Sequence, residues 1–194
     1  MRIVAKGPIC GGFPPPEDPV ITDHIARAKH PGVRAASSSA WGLLYHVMGK
    51  YGYQPGELYF EAGGKPLFLT GGLWFSISHS GGICAAAVSD CPVGVDVERV
   101  RPDYRPSLVE RSLTPGERQR YDGDFTRLWT RKEAVVKLTG EGITGWPAKV
   151  ETTDGAYDFF EDAFFFEEAE YRLTAAFSGP GEDVIVWDAS EPEA

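Results

Sequence analysis

The sequence has few cysteines, no long apolar run and no excess of positive charge, and each of these absences excludes a class of protein. Its three cysteines are an odd number without metal-ligand spacing, which is typical of a reducing compartment. No apolar run approaches the roughly eighteen residues of a membrane span, and Gly7 and Pro8 interrupt the start of the chain too early for a secretory signal. The net charge of −9 argues against general nucleic-acid binding. We therefore expect a cytoplasmic protein that binds neither membrane nor nucleic acid.

The residues that are abundant indicate a folded, acidic protein with one basic stretch. Of the 194 residues, 42% are hydrophobic and 12% aromatic, which is enough for one compact domain or two small lobes. From Arg99 to Lys137, ten lysines and arginines stand against six acids, whereas the rest of the chain holds nine against twenty-two. The basic stretch predicts a landing site for an anionic partner, although a solvated arginine-rich surface explains it equally simply.

Hydrophobic periodicity predicts a helix followed by strands, twice along the chain. The first predicted helix runs from about Pro31 to Gly49, and Asp124 is the predicted cap of a second, Phe125–Gly140. The predicted strands are Leu73–Ser78, Ile83–Val88, a strand from Val93 that carries two acids, and aromatic-rich strands around Phe164–Phe166, Tyr171–Phe177 and Val184–Trp187. The first three are predicted to form a β-meander, with a turn at His79–Gly82. The predicted class is therefore α+β with mainly antiparallel sheets.

The strand after Val93 places two carboxylates on one face. Residues two apart on a strand lie on the same side, about 6.6 Å apart along its axis, so Asp96 and Glu98 are close enough to share one ion. Two such charges repel unless a cation neutralises them, and oxygen ligands without a His or Cys pattern favour Mg²⁺. The alternative is a pair of solvated acids on an edge strand that form salt bridges with Arg99 or Arg101.

Two further segments carry polar side chains at helical or strand spacing. In WTRKEAVVK, Trp129, Glu133 and Lys137 share one helix face, which offers a third carboxylate, a cation and an aromatic wall. The alternative is an ordinary ion pair between Glu133 and Lys137 beside a core tryptophan. In FSISHSGG, a strand ends in serines and His79, although a lone histidine in a turn is more often a surface residue.

Together these segments closely resemble the 4′-phosphopantetheinyl transferase family, of the surfactin-synthetase-activating type. The family's G-x-D-x-E strand is matched by Gly94–Glu98, its W-x-x-K-E-x-x-x-K helix by Trp129–Lys137, and its trailing G-x-G by Gly140–Gly142. The resemblance runs from about Lys65 to Ile143. It implies a pseudo-twofold pair of α+β lobes with mainly antiparallel sheets, which agrees with the helix-then-strands order found twice.

The resemblance implies a division of the chain and an activity. Residues 1–94 would form an N-terminal lobe on the side of the coenzyme A adenine and 3′-phosphate, and residues 95–194 a C-terminal lobe with the metal ligands and the carrier-protein docking surface. Such a single-chain pseudo-dimer is expected to be a monomer. A holo-[acyl-carrier-protein] synthase type enzyme uses Mg²⁺ to move the 4′-phosphopantetheine arm of coenzyme A onto a serine of an apo acyl or peptidyl carrier protein, and releases 3′,5′-ADP.

The resemblance also assigns roles to individual residues. The implied Mg²⁺ ligands are Asp96, Glu98 and Glu133, and the implied catalytic residues are Glu133, as base or ligand, and Lys137, at the pyrophosphate or leaving group. The implied coenzyme A contacts are Arg34, Lys65, Ser78, His79, Asp96 and Lys137. Arg27 and Lys29 lie just before Arg34 and are alternative candidates, but the helix that carries Arg34 matches the family pattern best.

Two other functions use the same residues. A Mg²⁺-dependent pyrophosphate or phosphodiester hydrolase would use the three acids with water as the nucleophile. A catalytically inactive carrier-protein-binding module would keep the fold without the chemistry, but the intact acids and Lys137 argue against it.

Overall fold

Among the residues that the structure describes, nine strands and five α-helices form two similar halves. The computed structural model describes residues 1–10, 12–70, 72–142, 147–181 and 183–190. The strands are β1 (Arg2–Pro8), β2 (Leu58–Phe60), β3 (Pro66–Phe68), β4 (Trp74–Ser80), β5 (Ile83–Ser89), β6 (Val93–Arg99), β7 (Tyr157–Phe166), β8 (Ala169–Ser178) and β9 (Val184–Asp188). The helices are α1 (Pro19–Ala26), α2 (Pro31–Lys50), α3 (Pro106–Ser112), α4 (Pro115–Arg118) and α5 (Phe125–Thr139), and a 3₁₀ helix spans Pro147–Lys149. Within the described ranges, no helix combines the length and apolar character needed to cross a membrane.

The two larger sheets repeat one topology. The first has the strand order β4-β5-β1-β9 and the second β6-β8-β7, and β2 and β3 form a small separate pair. In the first half, β1, α2, β4 and β5 follow one another, and β1 pairs antiparallel with β5. In the second half, β6, α5, β7 and β8 do the same, and β6 pairs antiparallel with β8. The α+β class with mainly antiparallel sheets is therefore confirmed.

The chain does not divide cleanly into sequential halves. The predicted boundary after residue 94 lies inside β6, and β9, from the end of the chain, pairs parallel with β1 in the first sheet. The division into residues 1–94 and 95–194 stays a prediction.

Four layers stack in the order α2, first sheet, second sheet, α5. One apolar core lies between α2 and the first sheet and contains Trp41, Leu44 and Phe75. A second core lies between the two sheets, where Val95 and Val97 of β6 meet the far side of β5. The opposite face of the second sheet packs on α5 through Ala134, Leu138 and Ala176. The acids of β6 therefore face a helix and not solvent.

The predicted helices are confirmed, together with their caps. Helix α2 covers all of the predicted residues and ends one residue later, at Lys50. The carboxylate of Asp124 accepts a hydrogen bond from the main-chain N–H of Arg127 at 2.9 Å and caps α5. Gly140 ends α5 in the left-handed conformation with φ of 75°, which glycine adopts without steric cost.

The predicted β-meander is wrong. Strand β6 does not pair with β5 but moves to the second sheet, where it pairs with β8. Strand β4 also continues further than predicted, since His79 pairs with Cys84 and Ser80 with Ile83. His79 therefore lies in a strand, and Gly81 and Gly82 alone make the turn.

Candidate active site

Gly94 allows α5 to lie directly against the acid-bearing strand. A Cβ atom at this position would collide with the main-chain oxygen of Ala134 and lie 2.5 Å from the main-chain nitrogen of Leu138. Both atoms belong to the helix backbone and cannot rotate away. Because the strand and the helix touch here, Glu133 and Lys137 of α5 come level with Asp96, two residues after the glycine.

Asp96 is the centre of the site. Its side chain is 4% exposed, and its Oδ1 accepts hydrogen bonds from the Ser78 hydroxyl and the Lys137 ammonium, both at 2.8 Å. Its Oδ2 is buried and has no hydrogen-bond partner in the described part of the chain. A buried carboxylate oxygen without a partner is costly, which indicates that a ligand completes it.

Lys137 joins the helix to the strand. Besides Asp96, its ammonium donates to the Ser78 hydroxyl at 2.8 Å and to the main-chain oxygen of Val95 at 3.1 Å. Its ion pair is with Asp96 and not with Glu133, so the alternative of an isolated pair along the helix surface is wrong. The alternative of two solvated acids is wrong for Asp96, which is buried and forms its ion pair with Lys137. Among the described residues, neither Asp96 nor Glu98 forms an ion pair with Arg99 or Arg101.

Glu98 and Glu133 complete a cluster of like charges. Burial raises the pKa of Glu98, and the charge of Asp96 raises it further, against a hydrogen bond from the Ser80 hydroxyl at 2.7 Å. Burial also raises the pKa of Glu133, as do the charges of Asp96 and Glu98, while Lys137 lowers it. The three carboxylates therefore interact, although they come from segments 35 residues apart or more in the sequence.

The carboxylate oxygens of this cluster suit a hard divalent cation, but they do not form a complete set of metal ligands as they stand. Within the described ranges, no group of three or more His, Cys, Asp or Glu side chains converges closely enough to hold a metal ion as it stands. Three carboxylates without histidine or cysteine are the donor set that Mg²⁺ prefers. The unpartnered Oδ2 of Asp96 and the mutual repulsion of the acids are the structural features that such an ion would relieve.

A cleft of about 250 Å³ lies next to Lys137, between the two halves. Its lining includes Gly63, Lys65, Phe75, Lys137 and Gly140. The Lys65 ammonium donates to the main-chain oxygen of Leu138 at the end of α5 and lies 5.5 Å from the centre of the Trp74 ring. Burial lowers the pKa of Lys65, and the charge of Glu61 opposes this shift. Two lysines and glycine main chain on one cleft can bind an anion.

The other predicted coenzyme A residues lie at different distances from the acids. His79 is half-buried near the end of β4, where burial and then the charge of Lys137 lower the pKa of its imidazole. Arg34 lies in the first turn of α2, and its guanidinium donates to the main-chain oxygens of Ala28 at 2.9 Å and Lys29 at 3.2 Å. No contact of Arg34 with the acid cluster is found among the described residues, and its role stays a prediction.

A second cavity of about 320 Å³ lies on the other side of Glu133. Trp129, Val136 and Tyr157 contribute to its lining. Trp129 also packs against Phe125, with ring centres 6.0 Å apart, so it helps to hold the start of α5. Ile143, where the sequence resemblance ends, lies outside the described residues.

Two sets of residues that shape the site have no role that the sequence predicts. Ser76 and Ser80 flank Ser78 at intervals of two, and all three hydroxyls contact β6. The alternation of serine with Phe75, Ile77 and His79 was the available signal. Lys132, next to Glu133, is buried and bonded to Glu117, and its charged neighbours Arg131 and Glu133 give no sign of this burial in the sequence.

The comparisons with known proteins agree with this architecture. Residues 92–182 match the family model described as the 4′-phosphopantetheinyl transferase superfamily. The chain is 34% identical over 145 residues to the 4′-phosphopantetheinyl transferase HetI of Nostoc sp., which covers 63% of this chain and 60% of the relative. It is 34% identical over 114 residues to psf-1 of Bacillus pumilus, covering 53% and 48%, and 40% identical over 95 residues to AcpT of Salmonella typhimurium, covering 43% and 50%.

The fold and the site define an α+β protein with a carboxylate cluster beside a cleft whose lining includes two lysines. Residues 92–182, just under half of the chain, are similar to the 4′-phosphopantetheinyl transferase superfamily. This segment contains Asp96, Glu98, Glu133 and Lys137, whereas Lys65, Ser78 and the other predicted coenzyme A residues precede it. The chain spans about half to three fifths of the length of these three curated relatives.

Proposed function

We propose that the chain is a 4′-phosphopantetheinyl transferase of the holo-[acyl-carrier-protein] synthase type, which uses coenzyme A and an apo acyl or peptidyl carrier protein. The observation that carries the proposal is the buried Asp96, whose Oδ1 is held by Ser78 and Lys137 while its Oδ2 lacks a partner. Two more acids adjoin it, and a cleft with two lysines opens beside it. Three relatives that carry the name 4′-phosphopantetheinyl transferase support the same reaction.

The reaction exchanges one phosphorus–oxygen bond for another. The carrier serine oxygen attacks the phosphorus that bears pantetheine, the bond to the 3′,5′-ADP oxygen breaks, and the serine proton must be removed. Glu133 is the proposed proton acceptor, because its pKa is raised and its carboxylate forms no hydrogen bond with the described residues. Lys137 is placed to stabilise the charge on the departing diphosphate oxygen, since it lines the cleft and touches Asp96.

Asp96, Glu98 and Glu133 are the proposed ligands of Mg²⁺, which when bound would neutralise the charge that builds on the pyrophosphate. Lys65, His79 and Arg34 are the proposed contacts of the coenzyme A nucleotide, whereas the hydroxyl of Ser78 is hydrogen-bonded to Asp96, Lys137 and the main chain of Val97. Of these residues, Lys65 has the strongest structural support for this role, because it lines the cleft between the halves.

The proposal extends to the state of the protein. Both repeats of the fold are present in one chain, which supports a monomer. All three thiols are unpaired, which supports a cytoplasmic location.

The test is carrier loading by the wild type and by the Glu133→Gln variant. We expect the wild type to add phosphopantetheine to an apo carrier with coenzyme A and Mg²⁺, as measured by the intact mass of the carrier. Glu133→Gln should lower turnover by about 10²-fold or more, because the amide cannot accept the proton. Its circular dichroism spectrum should match that of the wild type, since the side chain is isosteric.

Two outcomes would contradict the proposal. If no carrier in a panel of fatty-acid, polyketide and peptide-synthesis carriers gains mass, while a known family member loads it in parallel, the transferase assignment fails. If coenzyme A is consumed at the same rate with and without carrier, the three acids serve a hydrolase instead.

A further inference from the structure

Three serines on β4 connect the two sheets next to the site. The hydroxyls of Ser76, Ser78 and Ser80 accept hydrogen bonds from the main-chain N–H groups of Val95 at 3.0 Å, Val97 at 3.3 Å and Arg99 at 3.3 Å, respectively. Strands β4 and β6 are edge strands of different sheets. The serine hydroxyls therefore accept the hydrogen bonds that main-chain carbonyl groups would accept between two strands of one sheet. These hydrogen bonds fix the register of β6 relative to β4.

The hydrogen-bonding capacity of Ser78 is fully used. A serine hydroxyl has one hydrogen to donate and two lone pairs to accept with. Val97 N–H and the Lys137 ammonium occupy the acceptor positions, so the hydroxyl hydrogen is directed at Oδ1 of Asp96. This arrangement fixes the rotation of the carboxylate and leaves Oδ2 as the oxygen that faces a ligand.

Ser80 repeats the arrangement one step along the strand. Its hydroxyl accepts from Arg99 N–H and donates to Oε2 of Glu98 at 2.7 Å. Ser76 makes the same kind of main-chain contact with Val95, but no carboxylate accepts its hydrogen among the described residues. Ser76 therefore only joins the two strands, whereas Ser78 and Ser80 also bond to a carboxylate, so the two effects can be compared within one protein.

We propose that Ser78 and Ser80 are positioning residues that orient the carboxylates of Asp96 and Glu98 toward a divalent cation. This inference rests on the proposed function, since it assigns the cation to these acids. A hydrogen bond to an ionised oxygen is stronger than one between neutral groups. A partner of this kind holds a flexible ligand such as Glu98 in the binding rotamer, and its loss typically weakens metal binding by about 10–100-fold.

The experiment measures Mn²⁺ binding by electron paramagnetic resonance, with Mn²⁺ alone and neither coenzyme A nor carrier present. We expect Ser80→Ala to weaken the Mn²⁺ affinity by about tenfold, and Ser80→Thr, which keeps the hydroxyl, to restore most of it. The matched control Ser76→Ala removes a strand bridge without an acid partner, and its Mn²⁺ affinity should stay within about twofold of the wild type.

Carrier loading supplies the second measurement. For Ser80→Ala, the Mg²⁺ concentration that gives half-maximal loading should rise about tenfold, while the rate at saturating Mg²⁺ falls by less than about threefold. A residue that served only to join the strands would not shift the Mg²⁺ dependence. The urea midpoints of Ser76→Ala and Ser80→Ala report whether both variants are equally folded.

The outcomes separate this inference from the proposed function. If the wild type loads carrier but Ser80→Ala binds Mn²⁺ as well as the wild type does, or Ser76→Ala loses as much affinity as Ser80→Ala, the positioning role is overturned and the transferase stands. If the wild type loads no carrier, the proposed function is overturned, and the role of the serines with it.

Discussion

At the scale of single residues, the site depends on how closely two backbones approach at Gly94. The glycine has an ordinary extended conformation in β6, so its backbone angles do not require glycine. What requires it is the main chain of α5, at the carbonyl of Ala134 and the amide of Leu138. The absence of a side chain here is what brings Lys137 within hydrogen-bond distance of Asp96.

Gly94→Ala should therefore lower both stability and activity. The added methyl group meets helix backbone, so α5 must move away from β6. We expect the free energy of unfolding to fall by about 1–3 kcal/mol, as is usual for overpacking, and carrier loading to fall more steeply, because the Lys137–Asp96 contact is lost. Urea denaturation and loading rates measure the two effects.

The control for this substitution is Gly49→Ala. Gly49 lies near the end of α2, and a Cβ there would meet no atom within 4 Å. The same chemical change should raise the free energy of unfolding by up to about 1 kcal/mol and leave loading unchanged. A Gly94→Ala variant as stable and active as the wild type would mean that α5 does not depend on this contact.

The residue types of the site were predictable, but their partners were not. Strand alternation alone placed Asp96 and Glu98 on one face. The partners of Asp96 are 18 and 41 residues away, and no local pattern specifies which distant hydroxyl or ammonium meets a given oxygen. The assignment of Lys137 to Asp96, and not to Glu133, required the packing of β6 on α5.

At the scale of elements, a buried ion pair joins α4 and α5 to the segment before β7. The Lys132 ammonium lies 2.7 Å from Oε2 of Glu117, and the two side chains are 3% and 2% exposed. The same ammonium donates to the main-chain oxygens of Pro147 at 3.1 Å and Val150 at 2.6 Å. Since Lys132 precedes Glu133, these bonds also fix the turn of helix that carries the proposed base.

Lys132→Met should be strongly destabilising. Removal of one partner leaves the Glu117 carboxylate buried without a counter-charge, which costs about 3–5 kcal/mol. The matched control is Arg118→Met, which breaks an ion pair with Glu110 whose side chains are 50% and 61% exposed and should cost less than about 1 kcal/mol. Urea denaturation at pH 7 compares the two variants. An equal fall in their free energies of unfolding would show that the buried ion pair contributes no more to stability than the exposed one.

Glu151 should make the stability of this region depend on pH. Burial alone would raise the pKa of Glu151, but hydrogen bonds from Thr114 and Thr153, and from the main chain of Thr152, lower it to about 2. A lowered pKa in the folded state contributes stability above the unfolded pKa of about 4.3, and this contribution is lost as the pH falls toward 2.

The variant Glu151→Gln isolates that contribution. At pH 7 it should be less stable than the wild type by about 1 kcal/mol, after allowance for the partly exposed position of the side chain. The difference should shrink between about pH 4.5 and pH 2, because the wild-type carboxylate is then protonated too. A difference that stays constant over this range, in urea titrations at each pH, would contradict the assignment.

The elements themselves were largely predictable, whereas the pairing of strands was not. Both long helices and their caps follow from local periodicity and from Asp124 and Gly140. The β-meander was wrong because a short connection at Asp90–Pro92 suggests hairpin pairing, while the apolar faces of β5 and β6 bury each other across two sheets instead. Such a choice depends on the second half of the chain, which supplies β8 as the partner.

At the scale of the whole molecule, two halves of one chain are held together by β1. Arg2 forms an ion pair with Asp158 of β7, and Lys6 pairs with Asp162 of β7 at 2.5 Å. The first strand of the chain therefore contacts the second sheet as well as its own. The order of the halves was visible in the sequence, but these contacts join residues 156 apart and have no local signal.

The exposed arginines at the end of β6 and just after it are expected to give the acidic molecule one basic side. Arg99, Arg101 and Arg105 are exposed, and none of them forms an ion pair among the residues that the structure describes. Burial raises the pKa of Glu98, whereas the charge of Arg101 lowers it, which indicates that Arg101 lies near this proposed metal ligand. Under the proposed function, we expect an acidic carrier protein to approach along this side. The arginines attract its negative charge, whereas the acidic surface of the rest of the molecule repels it.

Charge reversal at Arg105 tests this steering. Arg105→Glu should lower kcat/KM for an acidic carrier by about fivefold at low salt, because rim charges act mainly on the association rate. The KM for coenzyme A should stay within about twofold, since Arg105 has no contact with the cleft. The gap between variant and wild type should narrow as the ionic strength rises from about 0.01 M to about 1 M, where the screening length falls from about 30 Å to about 3 Å. Loading rates over a series of salt concentrations measure this effect. If the fall in kcat/KM for the carrier does not depend on salt, or if kcat/KM for coenzyme A falls equally, Arg105 acts on the folded site and not on the encounter with the carrier.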